Sequence, residues 1–517
     1  MWVTKREWVL DTRQTFQSEL VLVLVQLGQE LGQPCLNLLE GKEGETERSY
    51  LGFGSGWITK GEGQADSDPL DQLRQFLQAW KKDCCFLATN SRTTTEMGTE
   101  RDKEINTNTV NLSNPSERIL DKVDLGYFME SGLIGYLDYE WGLQWQRPSV
   151  AKSNPKFFFR LCPINIVLLP QTNRLVLEIF GEVAEAVLKT FAIWEAAIQE
   201  KINTLTIDIK VPIIEITAPR TIPAEKVLLK TEKPTLISLS EKWQSNMTKE
   251  TFLKGVSRIQ EFIRAGDIFQ AVFSQKFSRQ VSLSPWTFYR KLRVLNPSPY
   301  LFSIQGENET LVGSSPELIV STVGSKMSTR PIAGTRPRGK TPEEDQAFAE
   351  ELSSDVKENA EHAMLVDLGR NDVGRVARYG SVQVTQYSEV QRFSHVMHLV
   401  STVEGELQPP HDGLSALQAT FPAGTLSGAP KVRAMEILQD LEPEKRGAYG
   451  GALGIIRWNG DVDFCITIRT LRMTPGEVSV QAGAGIVYDS QAELEYQETL
   501  HKAQALMKVV DECVDDH

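Results

Sequence analysis

Cysteine, histidine and positive charge are all scarce in this chain. Its six cysteines, Cys35, Cys84, Cys85, Cys162, Cys465 and Cys513, are spread over 517 residues. None has the CxxC spacing of a zinc or redox motif, and so few thiols fit a reduced, cytoplasmic setting. The adjacent Cys84 and Cys85 read as two buried thiols. Acidic residues outnumber basic ones 68 to 55, for a formal net charge of −13. That balance argues against nucleic acid or an anionic membrane as partner. It also means that an anionic substrate needs a local positive site. The most apolar N-terminal run, residues 20–27, is too short to span a bilayer. The charges at Lys5, Arg6, Glu7, Asp11 and Arg13 do not lead into a signal-peptide pattern. With 41% apolar and 24% charged residues the chain has ordinary globular composition, and its length allows about two to four domains.

Turn signals divide what remains. Residues 36–41 and 49–54 read as short strands, and 69–82 as a helix with Leu70, Leu73, Phe76, Leu77 and Trp80 on one face. Residues 88–120 are polar and poor in large apolar side chains, the composition of a mobile surface insertion. A strand at 132–137, a loop at 143–156, a hairpin over 164–169 and 175–179, and a helix at 181–202 follow. Prolines 212, 219, 223 and 234 mark a boundary between an N-terminal region, 1–240, and a second region, 246–510. The second opens with an amphipathic helix over 247–265 and a strand over 267–274. There is no short repeat, no regular βαβ alternation and no dinucleotide fingerprint. The expected class is α+β with large antiparallel sheets.

The stretch 481–502, QAGAGIVYDSQAELEYQETLHK, organises the chemistry. A strand ends in Gly483-Ala484-Gly485, where backbone can approach a ligand closely. Ser490 with Glu493 has capping-box spacing and predicts the helix start. Glu495 and Glu498 then share a helical face, with Lys502 one turn on. Glu358 and Glu361 repeat that spacing in ELSSDVKENAEHAMLVDLGRNDVG, read as one helix ending at 371–374. Their stripe continues into Leu365 and Leu368, which predicts partial burial. Either pair alone is more readily a solvated acidic face. Two equal pairs, one beside a glycine turn, fit an all-oxygen Mg2+ site.

Other residues add to this. Glu317 follows Pro316 and could serve as a general base. His395 and His398 lie on one alternating stretch; either could carry a proton, and spacing does not choose between them. Residues 421–431, FPAGTLSGAPK, form a small-residue loop before a helix, suited to an anion but without the P-loop pattern. Alternation over 462–469 places Asp463, Cys465, Thr467 and Arg469 on one strand face, where Arg469 could hold a carboxylate through two hydrogen bonds.

These residues lie within longer motifs: GDIFQ at 266–270, GSSPE at 313–317, RPIAGTRPRG at 330–339, KENAEHAMLVDLGRNDVGRVA at 357–377, SHVMHLVSTVEGEL at 394–407, GTLSGAPKVRAMEI at 424–437, RGAYGGALG at 446–454, DFCITIRT at 463–470 and QAGAGIVYDS at 481–490. Through them the chain resembles the chorismate-utilising enzymes, and among these the large component of anthranilate synthase. The resemblance is dense from about 260 to 508 and thin before. It implies an α+β fold of large antiparallel sheets, with helices packed outside and an active-site cleft. It implies a cytoplasmic lyase of tryptophan biosynthesis that converts chorismate and ammonia to anthranilate and pyruvate. Mg2+ would be held on the ring carboxylate by Glu361 and Glu498, with Glu358 and Glu495 in support. Tyr449 and Arg469 would hold the enolpyruvyl side; Gly334, Thr335, Thr425, Gly483, Ala484, Gly485 and Lys502 would complete the pocket. His398 and Glu317 would carry protons, with Thr425 beside them.

Three positions discriminate within the family. Gln270 stands where the water-using isochorismate and salicylate synthases resemble one another in having lysine, which favours ammonia here. Ala333 stands where many aminodeoxychorismate synthases carry a lysine nucleophile, which favours amination at C2. Thr425-Leu426-Ser427 matches the anthranilate type. There are departures too. The feedback-tryptophan pocket of the family, implied here at Glu40, Pro299, Tyr300 and Leu301, lacks its serine because Gly41 follows Glu40. Phe464 replaces the usual small hydroxyl residue. Nothing after Lys508 could form a glutaminase half, so a separate glutamine amidotransferase subunit is expected. The competing readings are the aminodeoxychorismate synthase of folate synthesis and a non-catalytic chorismate-binding homologue. The intact set Glu358, Glu361, His398, Arg469, Glu495 and Glu498 argues against the last.

Overall fold

Strands that are apolar on both faces need cover on both sides. Ala452–Arg457 and Val462–Ile466 are buried at every residue. In the computed structural model they lie within one of two large, mainly antiparallel sheets, of 14 and 10 strands among the described residues. The structure describes residues 2–9, 16–33, 35–43, 46–54, 57–62, 68–83, 85–87, 119–120, 131–151, 155–169, 174–181, 184–207, 242–393 and 396–515. The proline-rich stretch 208–240, His395, and the polar stretch 88–120 apart from its last two residues lie outside them.

Strands from before and after that proline-rich stretch share both sheets. Cys35–Glu43 pairs with Tyr300–Gln305 in the larger, with Glu40 opposite Leu301. Gly132–Leu137 pairs with Ala452–Arg457 in the smaller. Leu39, Tyr136, Phe158, Phe302 and Leu453, drawn from both sheets, pack as one core cluster between them. The helix Ala492–Asp515 covers the strand Glu477–Ile486 of the larger sheet, while Val356–Gly374 covers strands Ile332–Pro337 and Val396–Glu406 of the smaller. The class is therefore α+β, as the pattern predicts. No described helix is long and apolar enough to cross a membrane.

Several local expectations are corrected. The predicted loop 143–156 begins inside a short helix, Trp141–Gln146, held by the buried Trp141 and Leu143. The strand predicted over 267–274 runs Gln270–Gln280. The single helix expected around Glu358 is two, Pro342–Ser354 and Val356–Gly374. Asp355 starts the second, accepting from the N–H groups of Lys357 and Glu358 at 2.9 and 3.1 Å. The capping box at Ser490 is not formed: the helix starts at Ala492, and the Ser490 hydroxyl accepts from the Val487 N–H at 3.0 Å. The alternation through Arg469 also fails. Its strand ends at Ile466, and Arg469 adopts φ 47°, a left-handed conformation rare for a side-chain-bearing residue.

Candidate active site

A cavity of about 530 Å³ opens between the two covering helices and the strand ends. Both carboxylate pairs line it, Glu358 and Glu361 from one helix, Glu495 and Glu498 from the other. Glu317, Gly334, Thr335, His398, Thr425, Tyr449, Arg469, Gly483, Gly485 and Lys502 line it as well. Ala484 does not. Successive residues of a strand face opposite sides, so with Gly483 and Gly485 turned to the cavity, Ala484 is fully buried in the hydrophobic core.

The carboxylates press on one another. Burial raises the Glu361 carboxyl above its usual range, and Glu358 and Glu498 add repulsion, partly offset by the Gln270 amide 3.3 Å away. Burial likewise raises Glu495, with Glu498 adding to it against a hydrogen bond from Ser490. Glu498 is tied to Lys502 at 2.7 Å, and the same ammonium donates to the Gly483 carbonyl at 3.0 Å. Among the described residues no three His, Cys, Asp or Glu side chains converge closely enough to hold a metal. The donor chemistry nevertheless fits Mg2+. That ion commonly takes one or two carboxylates and fills its other positions with water and substrate oxygens. Mutually repelling, half-buried carboxylates are relieved by a divalent cation.

Glu317 and His398 are the titratable groups that line the rest of the cavity. Glu317 lies in the turn between Thr310–Ser315 and Leu318–Val323 and is 8% exposed. Burial pushes its carboxyl up to about 7, against the Thr425 hydroxyl bond at 2.8 Å and the charges of Arg469 and Lys502. His398 is placed by a bulge: the pairing jumps from Ala333↔Leu399 to Arg336↔Met397, leaving Gly334 and Thr335 opposite His398. Gly334 adopts φ +62°, and its carbonyl lies 2.7 Å from His398 Nδ1. A carbonyl only accepts, so Nδ1 carries the proton and Nε2 keeps its lone pair. Burial lowers the His398 pKa, keeping the ring neutral near pH 7.

Arg469 supplies the local positive charge that an acidic protein needs for an anion. Burial lowers its pKa while nearby Glu317 raises it, and among the described residues its guanidinium makes no ion pair. The Ser314 N–H holds its carbonyl at 3.1 Å, steadying the unusual backbone. A Cβ at Gly483 would stand 3.1 Å from the Tyr449 hydroxyl, so a side chain there would press on that hydroxyl. Sequence reasoning missed Arg446, whose guanidinium lies 5.8 Å from the Tyr449 ring centre; its place in RGAYGGALG was the available signal.

The residues of the expected feedback pocket fall on two faces of the larger sheet. Glu40 and Leu301 are cross-strand partners on one face of the larger sheet, where Arg293 at 2.9 Å and Tyr289 engage Glu40. Tyr300 turns to the opposite face, bonds Asp463 at 2.8 Å, and with Pro299 lines a separate cavity. Gly41 lies against the Tyr300 ring: a Cβ there would meet it at 3.3 Å.

A cleft that brings two carboxylate pairs together with an arginine, a buried glutamate and a buried histidine matches a known class. The family model for chorismate binding enzymes matches residues 66–508, and the chain belongs to that family. It is 50% identical over 289 residues to anthranilate synthase component 1 of Aquifex aeolicus, covering 55% of this chain and 58% of that protein. It is 53% identical over 265 residues to the component 1 of Lactococcus lactis, covering 51% of this chain and 58% of that one. The chain thus spans a little over half the length of these curated relatives. The crystal structure of anthranilate synthase component I from Streptococcus pneumoniae superposes with a TM-score of 0.59 at 32% identity, covering 91% of this chain and 89% of that one. MenF, the menaquinone-specific isochorismate synthase of Escherichia coli, shares the fold at 18% identity and a TM-score of 0.63, covering 98% of this chain and 94% of that one.

Proposed function

We propose that this chain is an anthranilate synthase component I, converting chorismate and ammonia to anthranilate and pyruvate with Mg2+, and receiving ammonia from a separate glutamine amidotransferase subunit. The observation that carries it is Glu317, held near neutrality within reach of Thr425 in the cavity that also holds His398 and both carboxylate pairs. Chorismate is a dianion. Arg469 and Tyr449 take the enolpyruvyl side, while Glu361 and Glu498, with Glu358 and Glu495 in support, would hold Mg2+. When bound, that ion supplies Lewis-acid charge stabilisation. Glu317, a carboxyl that titrates at about 7, donates in its protonated form to the departing C4 hydroxyl, which leaves as water while ammonia adds at C2 and the added nitrogen returns a proton to the Glu317 carboxylate. His398 Nε2 then takes the C2 proton as the C3–oxygen bond breaks and enolpyruvate leaves; the enolate takes a proton from solvent at its methylene carbon to become pyruvate, and His398 returns its proton to solvent. A carboxyl with pKa near 7 and a neutral imidazole suit these opposite tasks.

Gln270 and Ala333 both line the cavity, so no lysine stands at either position to activate water or form an adduct. The test is to incubate the purified protein with chorismate, Mg2+ and ammonium, and identify the product by fluorescence and mass. Anthranilate supports the reading. An amino-chorismate that keeps its enolpyruvyl group points to the aminodeoxychorismate type instead. Stabilisation by chorismate without turnover points to a binding homologue.

A further inference from the structure

We propose that Arg446 is a positioning residue for this active site, acting by holding Tyr449 in place; the proposal rests on the reaction proposed above. Arg446 is 5% exposed and does not itself line the active cavity. Its guanidinium makes four hydrogen bonds. Nε and Nη2 donate to the Glu442 carboxylate at 2.8 and 2.7 Å, Nη1 donates to the Leu426 carbonyl at 2.6 Å, and Nη2 donates to the Val272 carbonyl at 2.6 Å. Leu426, next to Thr425, and Val272 both line the active cavity. The same cation lies 5.8 Å from the centre of the Tyr449 ring and 4.4 Å from the centre of the Tyr139 ring.

The network continues past Glu442. Its Oε1 also accepts from the Ser274 N–H at 2.9 Å and the Ser274 hydroxyl at 2.7 Å, and that hydroxyl in turn accepts from the Gln481 amide at 2.9 Å. Tyr449 and Gln481 line the active cavity and also a second cavity of about 490 Å³ on the far side, which Arg446 lines too. A wall with open space on both faces cannot be fixed by close packing alone. Hydrogen bonds radiating from one planar cation can fix it. Lysine cannot replace that fork, because a single ammonium cannot reach two carbonyls and both oxygens of a carboxylate in one plane.

The experiment is a double-mutant cycle on the full chain, with ammonium as the nitrogen source and all assays well below the melting temperatures. Arg446→Lys is expected to lower kcat/KM for chorismate by on the order of tenfold or more, since small displacements of a reacting geometry are expensive. Tyr449→Phe lowers it separately. The double variant should be no worse than the poorer single one to within about twofold, because Arg446 acts by placing the Tyr449 hydroxyl, which Tyr449→Phe already removes. Effects that multiply, or an Arg446→Lys enzyme that melts lower yet keeps kcat/KM within about twofold, would overturn the proposal. If Arg446→Lys does not fold, Glu442→Gln replaces it in the cycle with the same expected and overturning results. A wild type that makes no product with chorismate, ammonium and Mg2+ sinks the proposed reaction and this role with it; an active wild type with multiplying effects sinks this role alone.

Discussion

A carboxyl raised to about 7 by burial costs stability at the pH where it ionises, and Glu317 carries that signature. Between about 4.5 and 7 the folded protein holds a proton there that the unfolded chain has lost, so stability falls as pH rises through that window. Glu317→Gln removes the ionisation. Its unfolding free energy, measured without substrate or Mg2+, should fall less than the wild type's between pH 5 and 8, by an amount on the order of 3 kcal/mol at most. The same substitution should cost about 100-fold or more in turnover, because glutamine cannot give up the proton. A variant with wild-type turnover would remove Glu317 from the chemistry. At the metal, Glu361→Gln or Glu498→Gln should abolish Mg2+-dependent turnover and weaken Mg2+ binding seen by calorimetry, with the fold intact by circular dichroism. Unchanged Mg2+ affinity in both variants would refute the assignment. Residue types were legible in sequence here; protonation was not, because it follows from burial by distant segments.

The helix Val356–Gly374 shows how an element delivers such residues. Asp355 caps it and pairs with Arg336 at 2.8 Å, while Arg336 also approaches Glu358 at 3.5 Å. The cap therefore fixes the first turn, where Glu358 sits. Asp355→Ala should cost about 1 kcal/mol, read as a lower urea midpoint at unchanged m-value. It should also raise the Mg2+ concentration needed for half-maximal rate; a lower midpoint with unchanged Mg2+ dependence would separate the cap from the site. The cap was readable, since Asp355 and Glu358 have the spacing of a capping box. Helical periodicity running across the break obscured it. The opposite error occurred at Ser490, where the spacing is present but the hydroxyl turns back to Val487. Capping signals name candidates, and only the chain's approach direction decides which one caps.

Across the whole molecule, the shared sheets tie the chain's two regions together. Tyr300–Gln305 finds one neighbour in Thr310–Ser315 and the other in Cys35–Glu43. Ala452–Arg457 depends in the same way on Gly132–Leu137. A fragment of residues 246–517 would expose both as long apolar edges, the form of strand most prone to pair with other chains. Such a fragment should elute as aggregate in size exclusion and show no cooperative melt. A monomeric fragment with a sharp transition would show that the motif-bearing region folds alone.

By itself the sequence determined the α+β class, the two carboxylate pairs on single helical faces, and the family motifs, because these depend on residue type and on spacing within one element. Tertiary structure alone decided that the two pairs face one cavity, that Ala484 turns away from it, and that Arg469 leaves its strand in a left-handed turn. It alone decided that Arg446 lies 5.8 Å from the centre of the Tyr449 ring. Each of these depends on desolvation and contact between segments far apart in the chain, which local periodicity does not record.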